Sequence, residues 1–215
     1  MQERDQLPNF LLIGAMKAGT TTLHRDLNSH PRLFLPEHKE PNALCSDDIF
    51  EGKRLRAYRA LFSRAKGKEL IGEASTGYSK LPDIKGVPER ARKLFGEELR
   101  IIYIVREPTA RIVSQYIHDV AMGDAHDNID KAVRENEAYV NYSRYAYQIT
   151  PWVEVFGREQ VGIWLFEEYI SDRAATVNDI ARFLGAPEQS DVVPGLILNS
   201  AESKVAPTWL WKRAV

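Results

Sequence analysis

Residues 10–22 read Phe-Leu-Leu-Ile-Gly-Ala-Met-Lys-Ala-Gly-Thr-Thr-Thr. An apolar run gives way to two glycines, one lysine and three consecutive hydroxyls. Gly14 and Gly19 let the backbone turn sharply and come close to a bound group. The residues after Gly19 are placed to open a helix. Its first N–H groups have no acceptor within the helix and carry the positive end of its dipole. Lys17, Ala18, Gly19, Thr20, Thr21 and Thr22 therefore form a candidate cradle for a phosphate-like anion. A second candidate is Arg106, which directly follows the apolar run Ile101-Ile-Tyr-Ile-Val105. Ser114 lies eight residues later, about two turns into a helix that starts near Pro108. Arg106 and Ser114 could then grip one anion from a strand end and a helix. The competing reading pairs Arg106 with a carboxylate and leaves Ser114 in solvent; the unusual cradle favours the anion.

The glycine spacing fits the ATP-binding pattern G-x-x-x-x-G-K-[ST], but the cation does not. Thr20 stands at the lysine position, and Lys17 lies two residues before Gly19. In ATP-binding enzymes of that kind, an aspartate near the end of a second strand helps to hold Mg²⁺. Here the corresponding run ends in Arg106, which repels a metal and attracts a phosphate. Two anion sites without a metal site point to a nucleotide with phosphates at both ends of its ribose.

Four apolar, mostly β-branched runs are the strand candidates that must position these groups: Phe10–Gly14, Leu70–Gly72, Ile101–Val105 and Val161–Leu165. The pattern predicts helices over Thr20–Ser29, Glu89–Phe95, Pro108 to about Met122, Tyr139–Phe156 and Arg173–Leu184. Pro151 should break or kink the fourth, and Gly185 should cap the fifth. Strands alternating with helices predict an α/β fold, a P-loop-like three-layer α/β/α arrangement around a mainly parallel sheet. Ligands in such folds bind at the carboxyl ends of the strands, where both anion motifs fall.

The length of 215 residues suits a single domain over 1–215 with a substantial core. The net charge of −1 argues against a general affinity for polyanions, nucleic acid included, while leaving room for a local basic cleft. Cys45 is the only cysteine, which excludes an intrachain disulfide and suits a reducing compartment. It reads as an inert small hydrophobe. The first residues are polar, and no apolar run approaches the ~20 residues of a membrane span. We therefore expect a cytoplasmic protein with no transmembrane segment.

With these segments in view, the sequence resembles the sulfotransferases that use 3′-phosphoadenosine-5′-phosphosulfate (PAPS). Lys17-Ala-Gly-Thr-Thr-Thr22 is similar to their 5′-phosphosulfate loop, and Arg106 with Ser114 to their 3′-phosphate pair. The likeness continues through His38-Lys-Glu-Pro41, Tyr58-Arg-Ala-Leu-Phe62, Gly72-Glu-Ala-Ser-Thr-Gly-Tyr78 and Phe183-Leu-Gly185. It is strongest towards the branch with bacterial sulfotransferases and heparan sulfate sulfotransferase domains. The resemblance implies sulfuryl transfer by in-line displacement to a hydroxyl, in preference to an amine, of a carbohydrate, lipid or small molecule. It implies PAPS as donor, 3′-phosphoadenosine-5′-phosphate (PAP) as product and no metal. Lys17 is then the candidate to stabilise the leaving oxygen. The N–H groups of Gly19, Thr20 and Thr21 and the hydroxyls of Thr20–Thr22 would hold the terminal group.

Glu40 is the candidate general base, because in the heparan-type enzymes a glutamate follows the segment corresponding to His30-Pro-Arg-Leu-Phe34. His38 is its rival. Glu73 is expected either to orient Lys17 or the acceptor, or to form a structural ion pair. His118, one turn beyond Ser114, is read as structural, and core packing is the default for Trp152, Trp164, Trp209 and Trp211.

Two departures from the family pattern stand out. Where heparan-type enzymes place basic or imidazole side chains for a sulfated sugar, this chain has Thr21, Asn42 and Ala74. The basic, glycine-containing loop expected near the C-terminus has only Lys204 as a weak match, so the domain reads as C-terminally short. The alternatives are a P-loop nucleotide kinase or NTPase, which Lys17 and Arg106 argue against, and a non-catalytic nucleotide-binding module.

Overall fold

The computed structural model describes residues 7–65, 67–125 and 128–189. The chain order is β1 (Phe10–Gly14), α1 (Thr20–Ser29), β2 (Leu33–Phe34), α2 (Gly52–Ala60), β3 (Leu70–Ala74), α3 (Val87–Phe95), β4 (Arg100–Val105) and α4 (Pro108–Met122). It continues through α5 (Ile129–Glu135), α6 (Ala138–Asn141), α7 (Tyr145–Phe156), β5 (Val161–Leu165), α8 (Phe166–Ser171) and α9 (Arg173–Phe183). Short 3-10 turns occupy Ala43–Cys45, Asp47–Phe50 and Thr76–Ser79.

The strands form one sheet in the order β2-β3-β1-β4-β5, and every pairing is parallel. β1 is buried at every position, and so is β4 after Arg100. Such strands must be covered on both faces, which is why they read as continuous apolar runs rather than as alternation. The covering helices complete the three-layer α/β/α fold. The chain order reverses between β1 and β4, so the crevice beyond their carboxyl ends is the natural ligand position. β2 escaped the sequence pattern because two residues are too few to show a period.

Local chemistry sets the helix ends. Glu107 caps α4 by accepting the Thr109 N–H at 2.9 Å, and Pro108 takes the first helical position. These backbone donors, Thr109 first, hold the Glu107 carboxyl below its ordinary range. The segment 139–156 differs from expectation. It breaks between α6 and α7, at residues 142–144, and α7 runs through Pro151. Pro151 removes one N–H donor, which would have met the carbonyl of Tyr147. Buried Ile149 and Trp152 hold the helix in place across that gap.

Helix α1 is fastened at several points. Asp26, fully buried, accepts from Arg173 Nε at 2.9 Å and Nη2 at 2.7 Å and from the Tyr169 hydroxyl. This bidentate pair ties α1 to α8 and α9. His30 is also fully buried, with Nε2 3.1 Å from the Pro187 carbonyl and Nδ1 accepting from Arg32 N at 3.3 Å. His24 Nε2 lies 3.0 Å from the Pro36 carbonyl. Both imidazoles are structural. No described helix is long and apolar enough to cross a membrane.

Replacing Arg173 by Met would leave the Asp26 carboxylate buried without its cation. We expect a loss of about 3–5 kcal/mol of unfolding free energy, read by urea denaturation at neutral pH.

Candidate active site

The cradle leaves β1 at Gly14. Ala15 N donates to the β4 carbonyl of Ile104 at 2.6 Å, and Ala18 N donates to Ala15 O at 3.1 Å. Lys17 adopts a left-handed backbone, with φ +68°, and so does Gly19, with φ +81°. Gly19 is the N-cap of α1, so no side chain closes that helix end, and its first turn holds no acid. In the first turn of α1 the N–H groups of Thr20 and Thr21 therefore have no intrahelical acceptor. At Gly19 a Cβ would come within 2.6 Å of the Phe166 ring. Glycine is required there both for its φ and for this close approach.

Arg106, just beyond β4, turns back to the cradle. Its Nη1 donates to the Lys17 carbonyl at 3.3 Å, and its guanidinium lies 4.8 Å from the centre of the Phe166 ring. Its Nε is buried with no partner. The Tyr145 hydroxyl fixes the backbone at this point, donating to Arg106 O at 2.6 Å and accepting from Arg106 N at 3.4 Å. Lys17, the α1 N-terminus and Arg106 thus form one cation-lined loop. Ser114 is half-buried on α4, about 9 Å along the axis from Pro108. It makes no hydrogen bond to Arg106 in this structure.

The same helix carries a buried cation that the sequence did not single out. Arg111 Nε donates to Ser143 Oγ at 2.5 Å and Nη2 to Tyr139 O at 2.7 Å, while Nη1 has no partner. Burial lowers its pKa from the usual arginine value.

Glu40 lies at the end of β3, the neighbour of β1. Its backbone is left-handed, with φ +61°, and its N–H donates to Ala74 O at 2.9 Å. Oε2 accepts from Thr76 N at 2.7 Å and from Thr76 Oγ1 at 3.1 Å, and Oε1 pairs with Lys39. Asn42, also left-handed at φ +50°, donates its N–H to Ser75 Oγ at 3.0 Å. His38 is exposed. Base candidate and anion cradle therefore occupy the ends of adjacent strands.

Glu73 neither reaches a cation nor forms the ion pair considered for it. It lies within β3, which extends two residues past the predicted end. Oε2 accepts from the hydroxyls of Tyr58 at 3.0 Å and Tyr78 at 2.6 Å. Burial pushes its carboxyl up to about 7, against the opposing pull of the Ser75, Tyr78 and Tyr58 hydroxyls. Burial also raises the Cys45 thiol to about 11, so it stays protonated and unreactive at neutral pH. Trp152 is core, stacked on Phe156 with Nε1 donating to Tyr78 O at 3.3 Å. Trp164 donates to Asp179 Oδ2 at 2.8 Å. Lys204, Trp209 and Trp211 lie outside the described residues. Among the described residues, no group of three or more His, Cys, Asp or Glu side chains is arranged to hold a metal ion.

The chain thus pairs a parallel α/β sheet with a glycine- and threonine-rich loop after its central strand and an arginine after the next. The sulfotransferase-domain model matches residues 7–203, and the chain belongs to that family. A sulfotransferase from Alicyclobacillus acidocaldarius superposes with a TM-score of 0.76 at 31% identity, covering 88% of this chain and 85% of that one. Human heparan sulfate glucosamine 3-O-sulfotransferase 5 is 28% identical over 195 residues, 85% of this chain and 54% of that protein. The chain spans about half the length of such curated relatives. Mouse sulfotransferase SULT7A1, solved with PAP, shares the fold at 18% identity and a TM-score of 0.56, covering 88% of this chain and 61% of that one.

The raised Glu73 carboxyl has a signed consequence for stability. The folded protein holds this proton more tightly than the unfolded chain, whose ordinary value is 4.5. The associated stability is therefore complete below pH 4.5 and is lost as pH rises through about 7. The Glu73→Gln variant should lack this term. Relative to wild type, it should gain up to about 3 kcal/mol between pH 4.5 and 8, read by denaturant melts across that range.

Proposed function

We propose that this domain transfers a sulfuryl group from PAPS to an acceptor hydroxyl, releasing PAP. The reading rests on one observation above all: Lys17, the unclosed N-terminus of α1 and Arg106 converge on one loop, with Arg106 donating to the Lys17 carbonyl. Such a loop is suited to accepting anions. The PAP named in the mouse SULT7A1 structure is compatible with the same assignment.

The acceptor oxygen attacks sulfur as the bond from sulfur to the 5′-phosphate oxygen breaks, and that bonding pair stays on the phosphate. Lys17 neutralises the charge growing there, while the N–H groups and hydroxyls of Thr20–Thr22 hold the terminal oxygens. Arg106 and Ser114 receive the 3′-phosphate. The acceptor proton passes to Glu40, whose orientation Thr76 fixes through two hydrogen bonds. Thr21, Asn42 and Ala74 supply no charge for a sulfated polymer, so a carbohydrate of low charge, a lipid or a small molecule suits the acceptor side. A cytoplasmic location, supported by Cys45 as the only cysteine, belongs to the same proposal.

Calorimetric titration separates the nucleotide classes. PAP without Mg²⁺ should bind, and ATP with Mg²⁺ should not; the opposite pattern would favour a kinase or NTPase. Lys17→Ala should lower turnover about 100- to 1,000-fold. Glu40→Gln should lower it by about 100-fold or more while PAP still binds. PAP binding without transfer to any of a broad set of acceptors would leave a nucleotide-binding module.

A further inference from the structure

Glu73 is a core carboxyl for which the proposed chemistry has no use. It is fully buried and pairs in register with Leu11 of β1. Both of its phenol donors, Tyr58 and Tyr78, meet Oε2, whereas Oε1 has no hydrogen-bond partner. Burying a carboxyl that is only partly satisfied is unfavourable compared with an apolar residue of similar shape. Its retention calls for a compensating role, and Tyr78 indicates one. By donating to Glu73, the Tyr78 hydroxyl orients its remaining lone pairs, and its oxygen accepts the Leu44 N–H at 3.3 Å.

Leu44 belongs to the 3-10 turn that follows Glu40-Pro41-Asn42. Within this short stretch, Cys45 N donates to Asn42 O at 3.0 Å, and Asn42 Nδ2 donates to Glu40 O at 3.0 Å. Glu40 and Asn42 are both non-glycine residues in the left-handed region, a conformation that persists only when its surroundings enforce it. Ala74, Ser75 and Thr76 anchor one end of the stretch, and the Glu73–Tyr78–Leu44 relay anchors the other.

We propose that Glu73 is a positioning residue for Glu40, acting through Tyr78 and Leu44 to fix the turn that sets where the Glu40 carboxylate stands. The proposal rests on the reading of Glu40 as the proton acceptor. Tyr58 supplies the contrast. It comes from α2, bonds the same Glu73 oxygen and makes no hydrogen bond to the turn.

The test follows PAP release from PAPS, with 4-methylumbelliferone as probe acceptor and with water when the probe is omitted. Tyr78→Phe should lower kcat about 10- to 100-fold, as a displaced catalytic group does. Its donor KM and its affinity for PAP should stay within about twofold of wild type. Glu73→Leu, which removes the acceptor oxygen, should show the same split, and if it does not fold, Tyr78→Phe alone decides. Tyr58→Phe loses a phenol hydrogen bond to the same oxygen and should keep kcat within about threefold. Normal kcat in Tyr78→Phe, or equal losses in the two tyrosine variants, overturns the positioning role. Glu40→Gln is assayed in parallel. If it keeps full turnover, the reading of Glu40 falls and the proposal with it. If it is inactive while Tyr78→Phe is normal, only the positioning role falls.

Discussion

The hydrogen bond from Arg106 to the Lys17 carbonyl organises this molecule. It brings a second cation to a loop that already holds a lysine and the open end of a helix. Like charges so placed repel, and among the described residues no carboxylate hydrogen-bonds the Arg106 guanidinium. The surrounding structure must hold the group in place. Phe166 covers the guanidinium with its ring face, Tyr145 grips the Arg106 backbone, and the buried Asp26–Arg173 pair anchors the helix that follows the cradle. The two cations are thereby held on one loop, with the positive end of the α1 dipole beside them.

The proposed acceptor side is built on another principle. Glu40 stands on a left-handed backbone and depends on contacts from the chain beyond β3. Gly77 matters here, because a Cβ would collide with the Asn42 side chain that helps to hold Glu40. The donor side draws its precision from strand ends and a helix N-terminus. The acceptor side draws it from hydrogen bonds between loops, the kind of element that changes most readily when specificity changes.

That division explains what could be read in advance. The strands were legible because burial on both faces leaves continuous apolar runs. The turn from β1 into α1 was legible because glycines and threonines follow directly on an apolar run. Phe166 and Tyr145 were not, since an aromatic residue beside a strand end looks like core until its contact with Arg106 is known. The Thr76–Glu40 bond spans 36 residues and depends on left-handed conformations that a glutamate and an asparagine do not advertise. Pro151 lies within α7 without breaking it, and the break falls instead at residues 142–144. Ser114 was chosen by its spacing from Arg106. The fold sets it on α4 with no hydrogen bond to Arg106, and it buries Arg111 one turn earlier on the same helix.

The two halves are nevertheless measured from the same ruler. Ser75 N donates to Leu12 O at 3.1 Å and Ser79 Oγ to Ile13 O at 2.7 Å, so the segment holding Glu40 is fastened to the strand that ends in the cradle. Parallel neighbours in a sheet lie about 4.8 Å apart and resist sliding, because a one-residue slip would turn every buried side chain to the wrong face. An in-line displacement requires attacking oxygen, sulfur and leaving oxygen to share one axis. In the proposed reaction, donor and base beside adjacent strand ends would fix that axis through backbone hydrogen bonds, which tolerate substitution of the surrounding side chains. The acceptor loops could then vary without moving the chemistry.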